Sequence, residues 1–173
     1  MWKKEHIDFI LYEGNHEVVT FRFYPRQSSC HSFGDEPPKN YDDIYKVYFA
    51  YSIFIRNKEN NKTKVLFQCH CDECSVIDEV AARIALIIEG KRGVTLENGR
   101  FIQLLNNEIY PIAYGVSWEI KEWQNSDKYN YEVMMWNWDD TGYRFMLSKN
   151  ELKNFGLYLQ ECCEYMLAHG DPI

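Results

Sequence analysis

Residues 45–55 alternate with a period of two: Tyr45, Val47, Phe49, Tyr51, Ile53 and Ile55 fall on one side, and Lys46, Tyr48, Ala50, Ser52 and Phe54 on the other. A helix would scatter these side chains around its axis, whereas an extended strand gathers the first set onto a face that has to be buried. The chain is therefore committed to a sheet. The remaining sequence must supply partner strands and something to cover them.

Partners are written on both sides. Residues 7–12 and 16–24 are short apolar runs joined by Glu13-Gly14-Asn15, which reads as a hairpin with Gly and Asn supplying positive φ angles in its turn. Pro25 is expected to end that hairpin, and residues 25–43, with a Pro37-Pro38 pair and several acids, to form a long surface loop. Beyond the alternating strand, residues 57–63 turn the chain. Residues 64–71 then return with Val65, Phe67, Cys69 and Cys71 on their apolar face.

The cover is helical. Ser75 and Asp78 have capping-box spacing, and Val76, Ile77, Val80, Ala81, Ile84, Ile87 and Ile88 follow at helical intervals until Gly90. Asn98-Gly99 predicts a hairpin between residues 94–97 and 100–105. Residues 112–123, 129–138 and 143–147 read as three more strands. A last helix begins at Ser148, with Glu151 completing a capping box and Leu147 and Leu152 at the staple positions. Its inner face is Leu152, Phe155, Leu159, Cys162 and Met166, and Gly170 and Pro172 are placed to stop it.

The expected fold is α+β: a strand-rich antiparallel single domain over residues 1–173, built from two halves of four strands and a helix, with a C-terminal amphipathic helix. At 173 residues a chain can bury a core without metal or disulfide staples. An aromatic content of 16% suits a sheet-rich core, and 46% hydrophobic residues argue against disorder.

Residues 7–12 are too short an apolar run for a signal peptide, and no stretch approaches the roughly 20 apolar residues of a membrane span. A cytoplasmic location without membrane partners is expected. There the six cysteines would be thiols or metal ligands rather than disulfides. Cys71 and Cys74 have the spacing at which one turn offers two thiolates to zinc, and Cys30 and Cys69 would complete four ligands of a structural site. Strand alternation accounts equally for Cys69 and Cys71 as core residues, so no cofactor is required.

Catalytic signatures do not emerge. His6, His16, His31, His70 and His169 are scattered, and there is no nucleophile elbow, zinc-binding helix motif or Gly-rich phosphate loop. A non-enzymatic role is expected. The net charge of −7 opposes general attraction to nucleic acid, which needs clustered Lys and Arg. Asp35, Glu36, Asp42 and Asp43 in the long loop, with Asp139 and Asp140 in a hairpin turn, are instead suited to meet a basic protein. The leading expectation is an acidic protein-binding factor, an inhibitor or immunity and anti-defence type of protein that occupies a nucleic-acid enzyme. The wealth of Asn, Lys, Ile and Tyr fits an AT-rich bacterial or phage genome.

A second reading uses the aromatic residues. Residues 131–138 are apolar on both sides, so Trp136 together with Trp118 is a candidate stacking surface for bases, with Arg22, Lys46 and Arg56 as cationic contacts. In architecture, two halves of four strands and a helix resemble the Whirly type of single-strand-binding fold, which implies single-stranded nucleic acid as the ligand. No functional motif carries over with that resemblance. A small metal- or thiol-dependent enzyme built on the cysteine cluster is the third expectation.

Overall fold

The computed structural model describes residues 4–32, 44–69, 74–75, 77–95, 99, 101–104, 109–111, 117–123, 130–137 and 141–169. Strands β1 (Ile7–Glu13), β2 (Glu17–Ser32), β3 (Ile44–Asn57) and β4 (Thr63–Cys69) form an antiparallel meander, and the short β5 (Cys74–Ser75) also pairs with β3. Helix α1 (Ile77–Glu89) follows, then a hairpin of β6 (Gly93–Thr95) and β7 (Phe101–Gln103). A second meander, β8 (Ile109–Pro111), β9 (Ser117–Glu122), β10 (Tyr131–Trp136) and β11 (Gly142–Leu147), leads into helix α2 (Lys149–His169). The expected α+β architecture is present, with each four-stranded meander followed by a helix.

Both helices are closed by the chemistry their sequences carry. At the start of α2 the Ser148 N–H donates to the Glu151 carboxylate at 2.7 Å, and the Glu151 N–H donates back to the Ser148 hydroxyl at 3.2 Å. Leu147 and Leu152 are both buried beside this box, so the chain enters the helix at a fixed angle. Helix α1 ends at Gly90, whose φ of 68° lets its N–H reach the Ile87 carbonyl while the Lys91 N–H reaches that of Leu86. That paired arrangement satisfies carbonyls which a straight helix end would leave bare.

One core joins the halves. Phe155 of α2 lies within 5.4–6.3 Å, centroid to centroid, of Phe9 and Phe21 from the first sheet and Phe145 and Trp118 from the second. The Trp118 indole N–H donates to the Tyr51 hydroxyl at 3.1 Å, across the same junction. Gly156 faces Ile84 of α1, where a Cβ would stand 3.0 Å from the Ile84 Cγ2, so the two helices lie close together.

Three expectations about the strands are corrected. Pro25 does not end β2, which runs on to Ser32. The ladder shifts between Tyr24 and Ser29, and the Ser28 hydroxyl fills the gap, accepting from the Ala50 N–H at 2.9 Å and donating to the Tyr24 carbonyl at 2.8 Å. A bulge thus absorbs the proline that carries no ladder donor. Of the expected long loop, residues 33–43 lie outside the described residues. Secondly, a register shift between Ile53 and Phe54 adds Leu66 to β4 and turns Val65 outward to solvent, because one extra residue reverses the side a strand presents. Thirdly, of the run 112–123 the described strand is β9, Ser117–Glu122, which pairs with a strand not expected, β8 at Ile109–Pro111, while residues 112–116 lie outside the described residues. The turn at Gly14 also differs from expectation. Positive φ among the described residues occurs at Asn61, Gly90 and Gly99, not at Gly14 or Asn15.

Candidate functional site

The inward side of β10 is Tyr131, Val133 and Met135, all buried, so strand alternation sends Glu132, Met134 and Trp136 to the outer face of the second sheet. Registers supply their neighbours. Lys121 and Met146 flank Glu132, Glu119 and Arg144 flank Met134, and Ser117 and Gly142 flank Trp136. Trp123, just past the end of β9, adds a second tryptophan beyond the Glu132 row. The result is a face with an indole at each end and methionines between.

The two indoles are held rather than loose. Glu132 is only 7% exposed although it points outward. Its carboxylate accepts the Trp123 indole N–H at 3.0 Å and meets the Arg144 guanidinium at 3.4 Å. The Lys121 ammonium sits 4.5 Å over the Trp123 ring, a cation–π contact that fixes the ring from another side. Trp136 is held differently. A Cβ on Gly142 would lie 2.7 Å from the Trp136 Cε3, so the glycine leaves room for the indole to lie against β11. Trp123 and Trp136 keep 44% and 41% of their surface exposed, and Met146 is exposed as well.

Among the described residues the charges on this face balance. Lys121 and Arg144 are matched by Glu119 and Glu132, so the surface offers fixed aromatic and thioether area without a net charge. Groups of this kind are ordered before any ligand arrives, which lowers the entropy lost on binding.

The residues singled out from sequence are dispersed. Trp118 is a correction: it is 1% exposed and inside the core, so it offers no surface to a base. Arg22 is another, since its guanidinium makes a bidentate pair with Asp8 at 2.7 and 2.8 Å and lies 4.6 Å over the Phe54 ring. That pairing raises the Arg22 pKa above its usual value, chiefly through the Asp8 hydrogen bonds. Arg56 donates to the Asn61 side chain at 3.1 Å, on the outer face of the first sheet. Lys46 is in β3, rung-paired with His31, and its side chain is outside the described residues. Of the stacking set, Trp136 alone reaches the second sheet's outer face.

The acids Asp35, Glu36, Asp42, Asp43, Asp139 and Asp140 lie outside the described residues, as does Cys71. Cys69 is a buried residue of β4, opposite Tyr51 in the ladder. The backbone sets Cys30 of β2 opposite Val47 and Cys74 of β5 opposite Tyr48, on the two strands that flank β3. Among the described residues no three His, Cys, Asp or Glu side chains gather as a metal site. No described helix is long and apolar enough to cross a membrane.

Lys121, Glu132, Arg144 and Met146 were not anticipated. Alternation would have put each on an outward side, but which outward sides face the same neighbours depends on register between strands. No family model matches the chain, and no curated protein or solved structure is significantly similar to it.

Proposed function

We propose that this chain is a protein-binding factor that acts by covering a surface of another protein, with the outer face of the second sheet as its contact surface. The observation that carries the reading is the pair of exposed tryptophans, one bonded to Glu132 and one lying over Gly142, that frame Met134, Met146 and Arg144 on a face whose described charges balance. Trp, Met and Arg are the residues enriched at the centres of protein interfaces, and fixed indoles there supply most of the binding energy. A charge-balanced face has no surplus of cations with which to release counterions from a phosphate backbone. The net charge of −7 favours a basic partner through long-range steering. An inhibitor or immunity-type factor that occupies a nucleic-acid enzyme is the form of this reading which that charge supports.

The test is capture from native host cells by the full chain and two variants. Met146→Glu on the second sheet should lose the captured protein, while Ile10→Glu, at an exposed position of the first sheet, should retain it. A contrary pattern is salt-sensitive binding of a single-stranded oligonucleotide that disappears in Trp123→Ala. That result would transfer the same indoles to base stacking and replace the protein partner.

A further inference from the structure

A different face, on the helices, has an arrangement that an antiparallel copy of itself would complement. Leu157 is 54% exposed at the middle of the solvent side of α2. Lys153 lies four residues before it and Glu161 four residues after, and all three share one stripe of the helix. Asn154 and Gln160 are likewise placed three residues either side. Reversing the helix direction about Leu157 therefore puts lysine on glutamate and asparagine on glutamine. Within one chain Lys153 and Glu161 are about 12 Å apart along the axis, too far to pair with each other. A parallel neighbour would set lysine against lysine.

Beside Leu157 runs a mostly apolar groove of about 220 Å³ between α1 and α2, lined by Ala81, Ala85, Ile88 and Gly156, with Glu89 at its α1 edge and Lys153 and Gln160 at its α2 edge. Sites for drug-sized molecules occupy roughly 300–1,000 Å³, so a groove of this size suits one or two aliphatic side chains. A twofold axis near Leu157 offers it the Leu157 side chain of the other copy. We propose that the α1–α2 face is a self-association surface, in which two copies of this chain pair α2 antiparallel, seat Leu157 in each other's groove and form two Lys153–Glu161 ion pairs. The contact is isologous and closes at two chains.

Sedimentation equilibrium over a range of concentrations tests it. The wild-type chain should dimerise. Lys153→Glu and Glu161→Lys should each weaken the dimer about tenfold, because each creates two like-charge contacts across the axis. The double variant exchanges the charges and should recover wild-type affinity to within about threefold, which also shows that the surface is correctly folded. Leu157→Cys should form a disulfide-linked dimer under mild oxidation, which requires the two positions to lie close together. A wild-type chain that stays monomeric overturns the proposal. So does self-association that ignores both charge changes, or a double variant no better than the singles. Loss of a captured host protein in Leu157→Glu, without any self-association, would assign the groove to that protein instead.

Discussion

The two meanders share strand order and both give their inner sides to the same core, yet their outer faces have opposite fates. At the centre of the first sheet the outward groups consume one another. Arg22 is spent on Asp8 and Phe54, the Tyr24 hydroxyl bonds to Ser52 at 2.8 Å, and Val18, Thr20, Ala50, Ser52 and Phe54 are buried. Among the described residues of this sheet the exposed large apolar side chains are on the edge strands, at Ile10, Tyr12 and Val65. In the second sheet the single buried acid, Glu132, organises Trp123 and Arg144 without covering them. Aromatic and cationic residues signal a binding surface only where their neighbours leave them unburied, and neighbours are set by register.

The sharpest way to break that comparison uses two tryptophans on adjacent strands. Trp118→Ala should cost about 3–5 kcal/mol by urea denaturation, the usual loss for emptying an aromatic core site. Trp136→Ala should stay within about 0.5 kcal/mol, as surface changes usually do. Similar losses at both positions would contradict the assignment of one to the core and the other to the surface.

Alkaline pH tests how α2 is held against the first sheet. The Tyr158 hydroxyl donates to the Ile7 carbonyl at 2.6 Å, and burial raises its pKa well above the ordinary tyrosine value. Burial also pushes the Cys162 thiol from 9.0 up to about 12. Both groups are neutral when folded and ionise more readily when unfolded. The Cys162 contribution is thus fully present below about pH 9 and is lost as the pH rises from there through about 12, while that of Tyr158 begins to fall only above its ordinary value of 10.0. Stability should be level up to about pH 9 and fall from there towards pH 12, and Cys162→Ala should flatten the fall. An alkaline limb unchanged in that variant would remove Cys162 from the account.

The paired arginines sharpen the contrast between outer faces. Arg22→Ala should destabilise by about 1–2 kcal/mol, because it removes a part-buried bidentate bond and a ring contact together. Arg144→Ala, at a largely exposed guanidinium 3.4 Å from its acid, should change stability by under about 0.5 kcal/mol. Equal effects would mean that the two faces are satisfied to the same degree. Ser148→Ala serves as a reference outside both sheets, with an expected loss of about 1 kcal/mol for the missing cap. A midpoint and slope like the wild type's would displace the start of α2.

What was legible in the chain was local. The capping box at Ser148 and Glu151, the terminating Gly90 and the alternation through Tyr51 and Ile53 depend on residues a few positions apart. What was hidden depends on distant partners. Ser28 rescues the ladder broken by Pro25 by bonding Ala50, 22 residues away, and Leu66 reverses Val65 only because of how β4 meets β3. The site divides the same way. Trp136 stands out in an apolar strand, but Arg22 reads as an available cation unless register is known to bring Asp8 beside it. Glu132, a lone acid between apolar residues, reads as an ordinary solvated side chain unless Trp123 and Arg144 are known to converge on it.

Site-directed photocrosslinking in native host cells tests the central claim most directly. A photoreactive side chain at Met146 on the second sheet is compared with one at Ile10 on the first. The account predicts a discrete protein adduct from position 146 that is absent from position 10. A protein adduct from position 10 alone, equal adducts from both, or an adduct to nucleic acid from position 146 would contradict it.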